Sequence, residues 1–216
     1  MKLRRTAAVV AIPLLAGLAL AACSTPSAGT AASVGGTTIT TSQLTTTVDE
    51  LKGQVTALEG ASWDDAKATS RVLTDGVTYL LLDEAARREG ITVTQGEIDK
   101  LVNDAIAANA GGDRAKFVEN LAASGTPESQ IPLAARAVII KTALEKKLAP
   151  GETDAVKVDA AINAYLTKVA DDLGVEVAPR FGRWDTEISG LADPPNDLSV
   201  PADLASATAS PQPSGS

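Results

Sequence analysis

The stretch that decides the fold is residues 72–100, VLTDGVTYLLLDEAARREGITVTQGEIDK. Its first half carries apolar residues at helical spacing, and Gly90 marks the end of that helix because glycine readily closes a helix C-terminus. Residues 91–93 form a short extended link, after which Thr94 and Glu97 have the spacing of a capping box. The apolar residues behind the box recur at i, i+3, i+4, i+7 and i+8 and are Ile98, Leu101, Val102, Ala105 and Ile106. The stretch therefore predicts two consecutive helices joined by a short link.

The same signals predict four more helices. Thr40 with Gln43 forms a capping box ahead of a first helix, Ser62 with Asp65 starts the helix before Gly90, and Thr126-Pro127 opens a later one whose start Pro132 delays or kinks. A short helix carries Phe117 and Leu121. The later helix has one apolar stripe of Leu133, Ala137, Ile140, Leu144 and Leu148. The last helix has a second, of Val158, Ala161, Ile162, Tyr165, Leu166, Val169 and Leu173.

Two β-like segments lie at opposite ends of these helices, at residues 34–40 and residues 175–184. A lone strand leaves its backbone hydrogen-bonding groups unpaired, whereas two short strands can satisfy each other. We therefore expect part of residues 175–184 to pair with residues 34–40. The fold class is mainly α, a helical domain closed by a short two-stranded β pairing between its ends.

The N-terminus has the order of a secretory signal. Lys2, Arg4 and Arg5 precede an apolar run at residues 7–20, which is shorter than the roughly 20 residues that a membrane-spanning helix needs. Residues 20–23, LAAC, resemble a lipobox, which implies cleavage between Ala22 and Cys23 and lipidation of Cys23. The alternative is an incidental cysteine in an ordinary signal. Cys23 is the only cysteine, so the lipidated chain would have no thiol for a disulfide or a nucleophile.

These features divide the chain into four parts. Residues 1–22 are the expected signal peptide, and residues 23–33, small and polar, are an expected lipidated flexible tether. Residues 34–198 are the helical domain. Residues 199–216, rich in Pro, Ala and Ser, are an expected disordered tail.

Composition excludes several classes of function. The net charge is −8 with no basic stripe, which disfavours nucleic acid as a partner. The absence of histidine removes Ser-His-Asp catalysis and imidazole metal sites, and no phosphate-binding loop occurs. Carboxylate pairs could divide acid and base roles, but their positions at helix starts and on polar faces favour solvated surface groups: Asp64-Asp65, Asp83-Glu84, Asp171-Asp172 and Asp185 with Glu187. We expect no metal, no cofactor, no small-molecule substrate and no catalytic residues.

Three stretches resemble the N-terminal domain of the SurA/PrsA class of exported folding chaperones. They are residues 34–40 (VGGTTIT), residues 72–100, and residues 117–148 with F-x-x-x-L-x-x-x-G before a long helix. Gly35 stands where that family usually has Asn, and Gly76 where a larger apolar residue is more common. The resemblance implies an orthogonal helical chaperone domain. In full-length members a parvulin prolyl isomerase domain follows the long helix, whereas here residues 149–153 lead directly to the next helix.

Residues 175–185, VEVAPRFGRWD, look like the closing strand of short actinobacterial lipoproteins of this type. The resemblance therefore implies a lipoprotein on the extracytoplasmic face of the cell membrane. It would act as an ATP-independent chaperone for unfolded or newly secreted polypeptides, without isomerase catalysis. Phe181 and Trp184 are candidate peptide-binding residues because aromatic anchors favour binding surfaces, and structural packing is the alternative for both. The alternative function is a structural or assembly lipoprotein that binds one dedicated envelope partner, and a residual isomerase or carboxylate hydrolase is a third possibility.

Overall fold

The computed structural model describes residues 29–192. The expected signal peptide, Cys23, most of the expected tether, residues 193–198 of the expected domain and the expected tail lie outside the described residues. Within them the chain forms six α-helices, two short 3-10 turns and five short strands in this order: β1 (Thr30–Val34), β2 (Thr37–Thr40), α1 (Thr41–Thr56), α2 (Asp65–Arg88), α3 (Gln95–Ala110), α4 (Arg114–Ala123), a 3-10 turn (Glu128–Gln130), α5 (Ile131–Leu148), α6 (Ala155–Leu173), β3 (Val175–Val177), a 3-10 turn (Pro179–Phe181), β4 (Arg183–Asp185) and β5 (Gly190–Ala192). The mainly helical fold class is confirmed. None of the helices in this part of the chain is both long and apolar enough to cross a membrane.

Side-chain caps set the helix starts. Both predicted capping boxes are present: the Gln43 backbone N–H donates to Thr40 Oγ1 over 3.1 Å, and the Thr94 backbone N–H donates to Glu97 Oε2 over 2.8 Å. The predicted start of α2 at Ser62 is wrong, because the Asp64 carboxylate instead accepts from the Lys67 backbone N–H at 3.0 Å. An aspartate is a strong N-cap, since it satisfies one of the amide groups left free at a helix start.

Pro132 delays α5, as the sequence predicts. Pro127 precedes a 3-10 turn rather than the α-helix itself, and α5 begins at Ile131 with Pro132 in its first turn. A proline has no backbone N–H to donate, which is tolerated only in the first turn of a helix.

The two ends of the domain meet in a three-stranded antiparallel sheet of order β2-β1-β3. Val34 pairs with Val175 and Ala32 with Val177, so strand pairing between the two ends closes the domain as predicted. The sheet has three strands rather than two, and of the predicted segment 34–40 only Val34 pairs with β3. Residues 37–40, most of the predicted first strand, instead form β2. This strand pairs with β1 because residues 35–36 turn the chain back.

The boundary between tether and domain at Val34 is wrong for residues 30–33. They form most of β1, the central strand, and Ala31 and Ala32 are fully buried. Their small side chains resemble a linker in composition, yet the same small size lets β1 pack closely against α2.

Gly35 occupies the turn between β1 and β2 with φ +56°, a left-handed conformation that asparagine also tolerates. The observed glycine and the asparagine usual in the family thus suit the same backbone. We expect Gly35→Val to lower the free energy of unfolding by about 2 kcal/mol, since left-handed backbone alone costs other residues roughly 1–2 kcal/mol. A Cβ at Gly35 would also lie 2.8 Å from Leu173 Cδ2.

Gly35→Asn is the matched control. Its side chain tolerates the backbone, and the close atom is the far end of a flexible leucine, so the loss should be well under half that of Gly35→Val. Urea unfolding of both variants measures the difference. Equal losses would show that the backbone conformation at Gly35 is not what the position requires.

The glycine at position 76 is explained by close packing rather than by its backbone conformation. It lies inside α2, and a Cβ there would be 3.0 Å from Ile39 Cδ1 of β2. The glycine therefore lets the β2 edge of the sheet approach α2 more closely than a larger side chain would allow.

The main core lies between α1, α2, α5, α6 and the β1 strand. Its largest fully buried side chains are Leu51, Leu73, Val77, Ile140, Leu144 and Val169. A second, smaller cluster joins α3 and α4 to the start of α5 and consists of Ile106, Ala110, Phe117 and Ile131. Because this cluster is small, α3 and α4 have less apolar burial to hold them than the helices of the main core.

A charged network joins the C-terminal ends of α2 and α6. Glu84 accepts from Arg87 and Arg88, and the Arg88 guanidinium also donates to Asp172 of α6 over 2.7 Å. These arginines, Arg87 first, hold the pKa of Glu84 at about 2, so its carboxylate stays charged throughout the physiological range.

Candidate functional site: a groove between α2 and the C-terminal hairpin

A surface groove of about 350 Å³ lies between the start of α2 and the C-terminal part of the domain, where β4 and β5 pair in a hairpin. We call it the α2–hairpin groove. Its lining residues are Asp65, Ala66, Thr69, Ser70, Arg180, Phe181, Leu191 and Ala192. Its volume falls in the lower part of the range typical of ligand-binding clefts.

The α2 wall of the groove is made of short side chains. Ala66, Thr69 and Ser70 are spaced i, i+3 and i+4, so they lie together on one face of the helix. One turn further on, Leu73 is fully buried in the core. The groove therefore exists because this face changes from large to small residues where α2 leaves the core.

The opposite wall is held by the sheet. The Ala178 backbone N–H donates to the carbonyl of Ala31 in β1 over 2.9 Å, and the Phe181 backbone N–H donates to the carbonyl of Ala178 over 2.8 Å. Gly182 then has φ +103° and ψ −152°, a combination available essentially only to glycine. These contacts fix the 3-10 turn that presents Phe181 to the groove.

Arg180 provides the positive charge at the rim. Its guanidinium lies 4.8 Å from the centroid of the Phe181 ring, and its Nη2 donates to the Thr41 hydroxyl over 2.7 Å. Asp65, the acidic residue of the lining, is 3.2 Å from Lys52 Nζ. The rim thus combines a neutralised carboxylate with a cation held over an aromatic ring.

Phe181 and Trp184, the two residues singled out from the sequence, line different depressions. Phe181 lines the α2–hairpin groove, whereas Trp184 lines a smaller cavity of about 70 Å³ with Leu81 of α2 and Leu166 of α6. Both rings are half-buried and pack against the main core. A peptide-binding role stays a prediction for both residues, and the groove geometry favours Phe181.

The strand β5, which completes the groove, was not predicted from the sequence. The predicted extended segment ends at Trp184, whereas the chain forms a hairpin in which Trp184 of β4 pairs with Leu191 of β5. The dipeptide Ser189-Gly190 is a turn signal that could have indicated the hairpin. The small residues on the first turns of α2 are the other missed feature, and their i, i+3, i+4 spacing was visible in the sequence.

At least one carboxylate of each pair noted in the sequence forms an ion pair. Asp65 is paired with Lys52, Asp83 with Arg136 at 2.6 Å, and Asp172 with Arg88. Across residues 29–192 no group of three or more metal-ligating side chains is found.

The model of the SurA-like N-terminal domain family matches residues 4–144, about two thirds of the chain. No curated protein and no solved structure matches. The family match includes the α2 wall of the groove and ends inside α5, so the Phe181 wall lies beyond it. With most of its length matched, the chain belongs to the SurA-like N-terminal domain family.

Proposed function

We propose that this protein is a membrane-anchored, ATP-independent chaperone that holds extended segments of newly exported polypeptides without prolyl isomerase catalysis. The observation that carries the proposal is the SurA-like N-terminal domain, which is a chaperone-type domain, together with the α2–hairpin groove on its surface. The client would be an unfolded chain rather than nucleic acid, since the net charge is −8.

The groove suits an extended apolar segment. Phe181, Leu191 and Ala66 provide apolar surface, and Thr69 and Ser70 provide hydroxyl groups that can bond to a peptide backbone. The β5 strand pairs with β4 on one side only within the described residues, so its other edge can accept an added strand. Affinity from backbone bonds and apolar contact would be tolerant of sequence, as a general chaperone requires.

Two features support a role without isomerase chemistry. The α5 helix is joined to α6 by residues 149–154 alone, at the point where the resemblance places a parvulin domain in longer chaperones. The chain also has no histidine, which parvulin sites use.

The anchor rests on residues outside the described part of the chain. The order of basic, apolar and small residues before Cys23 supports export and lipidation, and multiple acyl chains on one residue are sufficient for stable anchoring. We expect Cys23→Ser to abolish labelling by palmitate and to leave the precursor uncleaved after Ala22, because a lipobox cysteine is lipidated before cleavage. Palmitate labelling that persists in Cys23→Ser, or that is absent from the unaltered protein, would overturn the lipid anchor.

The chaperone proposal is tested with purified protein lacking residues 1–23. We expect it to slow the aggregation of a chemically unfolded client at near-stoichiometric ratios and to bind extended apolar peptides in fluorescence anisotropy. Ser70→Arg fills the groove from an exposed position and should weaken peptide binding at least about tenfold. Asn103→Arg adds the same side chain at an exposed position of α3 and should leave binding unchanged.

The outcomes separate the candidate functions. Failure both to slow aggregation and to bind peptides overturns the chaperone proposal. Binding that Ser70→Arg and Asn103→Arg affect equally would place the client elsewhere on the surface. Recovery of one stoichiometric envelope protein with no client binding would instead favour the assembly lipoprotein with a single dedicated partner.

A further inference from the structure

The chain leaves the described domain at the α2–hairpin groove itself. Leu191 and Ala192 are the last two described residues and both line the groove. Residues 193–201, DPPNDLSVP, follow directly. Six residues of extended chain span at most about 20 Å, so Leu198 stays within reach of every lining residue near Ala192.

The rim of the groove carries a positive charge without a carboxylate partner in the described part of the chain. The Arg180 guanidinium there donates to the Thr41 hydroxyl and packs on the Phe181 ring. Many other arginines of the domain, such as Arg88 and Arg136, lie against a carboxylate instead. A hydroxyl group does not neutralise a cation, so Arg180 can accept an acidic partner.

The segment that follows Ala192 has complementary chemistry. It carries Asp193 and Asp197 with no lysine or arginine, and it also contains four apolar residues, namely Pro194, Pro195, Leu198 and Val200. Proline-containing extended segments dock well in grooves lined by aromatic side chains, because their backbone is already restricted before binding. The groove has the aromatic surface of Phe181 and the cation of Arg180 side by side.

We propose that residues 193–200 of this chain occupy the α2–hairpin groove, with the aspartate carboxylates near the Arg180 guanidinium and the apolar residues against Phe181. A tethered occupant of this kind has an effective concentration in the millimolar range. A client must displace it, so the segment would act as a built-in competitor. This consequence rests on the proposed chaperone function, whereas the docking of the segment does not.

Cysteine cross-linking tests the docking directly. The full chain carrying Cys23→Ser has no other cysteine, so two introduced thiols report a single pair. We expect Thr69→Cys with Leu198→Cys to form an intramolecular disulfide at least about tenfold faster than Asn103→Cys with Leu198→Cys, which joins the segment to α3 instead. Adding Arg180→Glu should remove most of that advantage, and Arg180→Lys should keep it.

Equal rates for the two cysteine pairs would overturn the docking. Disulfides that form only between molecules, at a rate that rises with protein concentration, would also overturn it, since the occupant would then come from a second copy. A chain ending at Ala192 should bind extended apolar peptides about tenfold more tightly than the chain ending at Ser216. Rapid cross-linking without any peptide binding would leave the docking in place and overturn the chaperone function, so the two proposals fail separately.

Discussion

A chain that begins at Val34 should not fold, whereas one that begins at Gly29 should have the stability of the longer protein. The shorter chain lacks most of β1, which forms four residue pairs with β2 and three with β3. Each backbone hydrogen bond lost costs about 0.5–1.5 kcal/mol, and leaving buried partners unpaired costs about 1–3 kcal/mol each. The total exceeds about 5 kcal/mol, which is comparable to the whole stability of many small domains.

Gly29 is the correct start because its carbonyl accepts from the backbone N–H of Thr41 at 2.7 Å. Circular dichroism and thermal unfolding of the two chains measure the difference. Cooperative unfolding of the chain that begins at Val34, within a few degrees of the other, would show that residues 30–33 are a tether after all.

The helices were predictable because their signals are local. A capping box needs only the residues at its first and fourth positions, and both Thr40 with Gln43 and Thr94 with Glu97 form the expected reciprocal bonds. Where two aspartates competed with Ser62 for the start of α2, the local pattern was ambiguous, and Asp64 became the cap.

The strands were harder to predict because their partners are distant in the sequence. Residues 30–33 all have small side chains, and nothing nearby indicates that Ser33 pairs with Glu176. Burial of Ala31 and Ala32 follows from the approach of α2 and of the 3-10 turn after β3, which no local window contains. Composition distinguishes a linker from a strand only when the strand has large apolar residues.

The candidate site was hard to predict for the same reason, because its parts are distant in the sequence. Its two walls are separated by more than a hundred residues, since one is the start of α2 and the other is formed by residues 180–192. Aromatic character correctly drew attention to Phe181, which lines the groove, and equally to Trp184, which packs between α2 and α6. Residue type therefore indicates a binding candidate, but only the tertiary fold decides which depression the side chain lines.

Helix α5 also shows that the sequence pattern does not decide how deeply each residue of one apolar stripe is buried. Leu133 and Leu144 belong to the stripe predicted from the sequence, yet Leu144 is fully buried in the main core whereas Leu133 is 41% exposed. We expect Leu144→Ala to lower the free energy of unfolding by about 2–5 kcal/mol, through lost apolar burial and the cavity left among close-packed neighbours. Helix propensity cannot cause the loss, because alanine is the best helix former.

Leu133→Ala is the matched control, since it makes the same change on the same helix. Its neighbourhood is open to solvent, so little apolar area returns to water and no enclosed cavity forms. We therefore expect its loss to be under about 1 kcal/mol. Urea unfolding of the two variants, with equal slopes, measures the difference directly. Losses of similar size would mean that the start of α5 is covered as deeply as its centre, and the core would then extend beyond the two clusters described for residues 29–192.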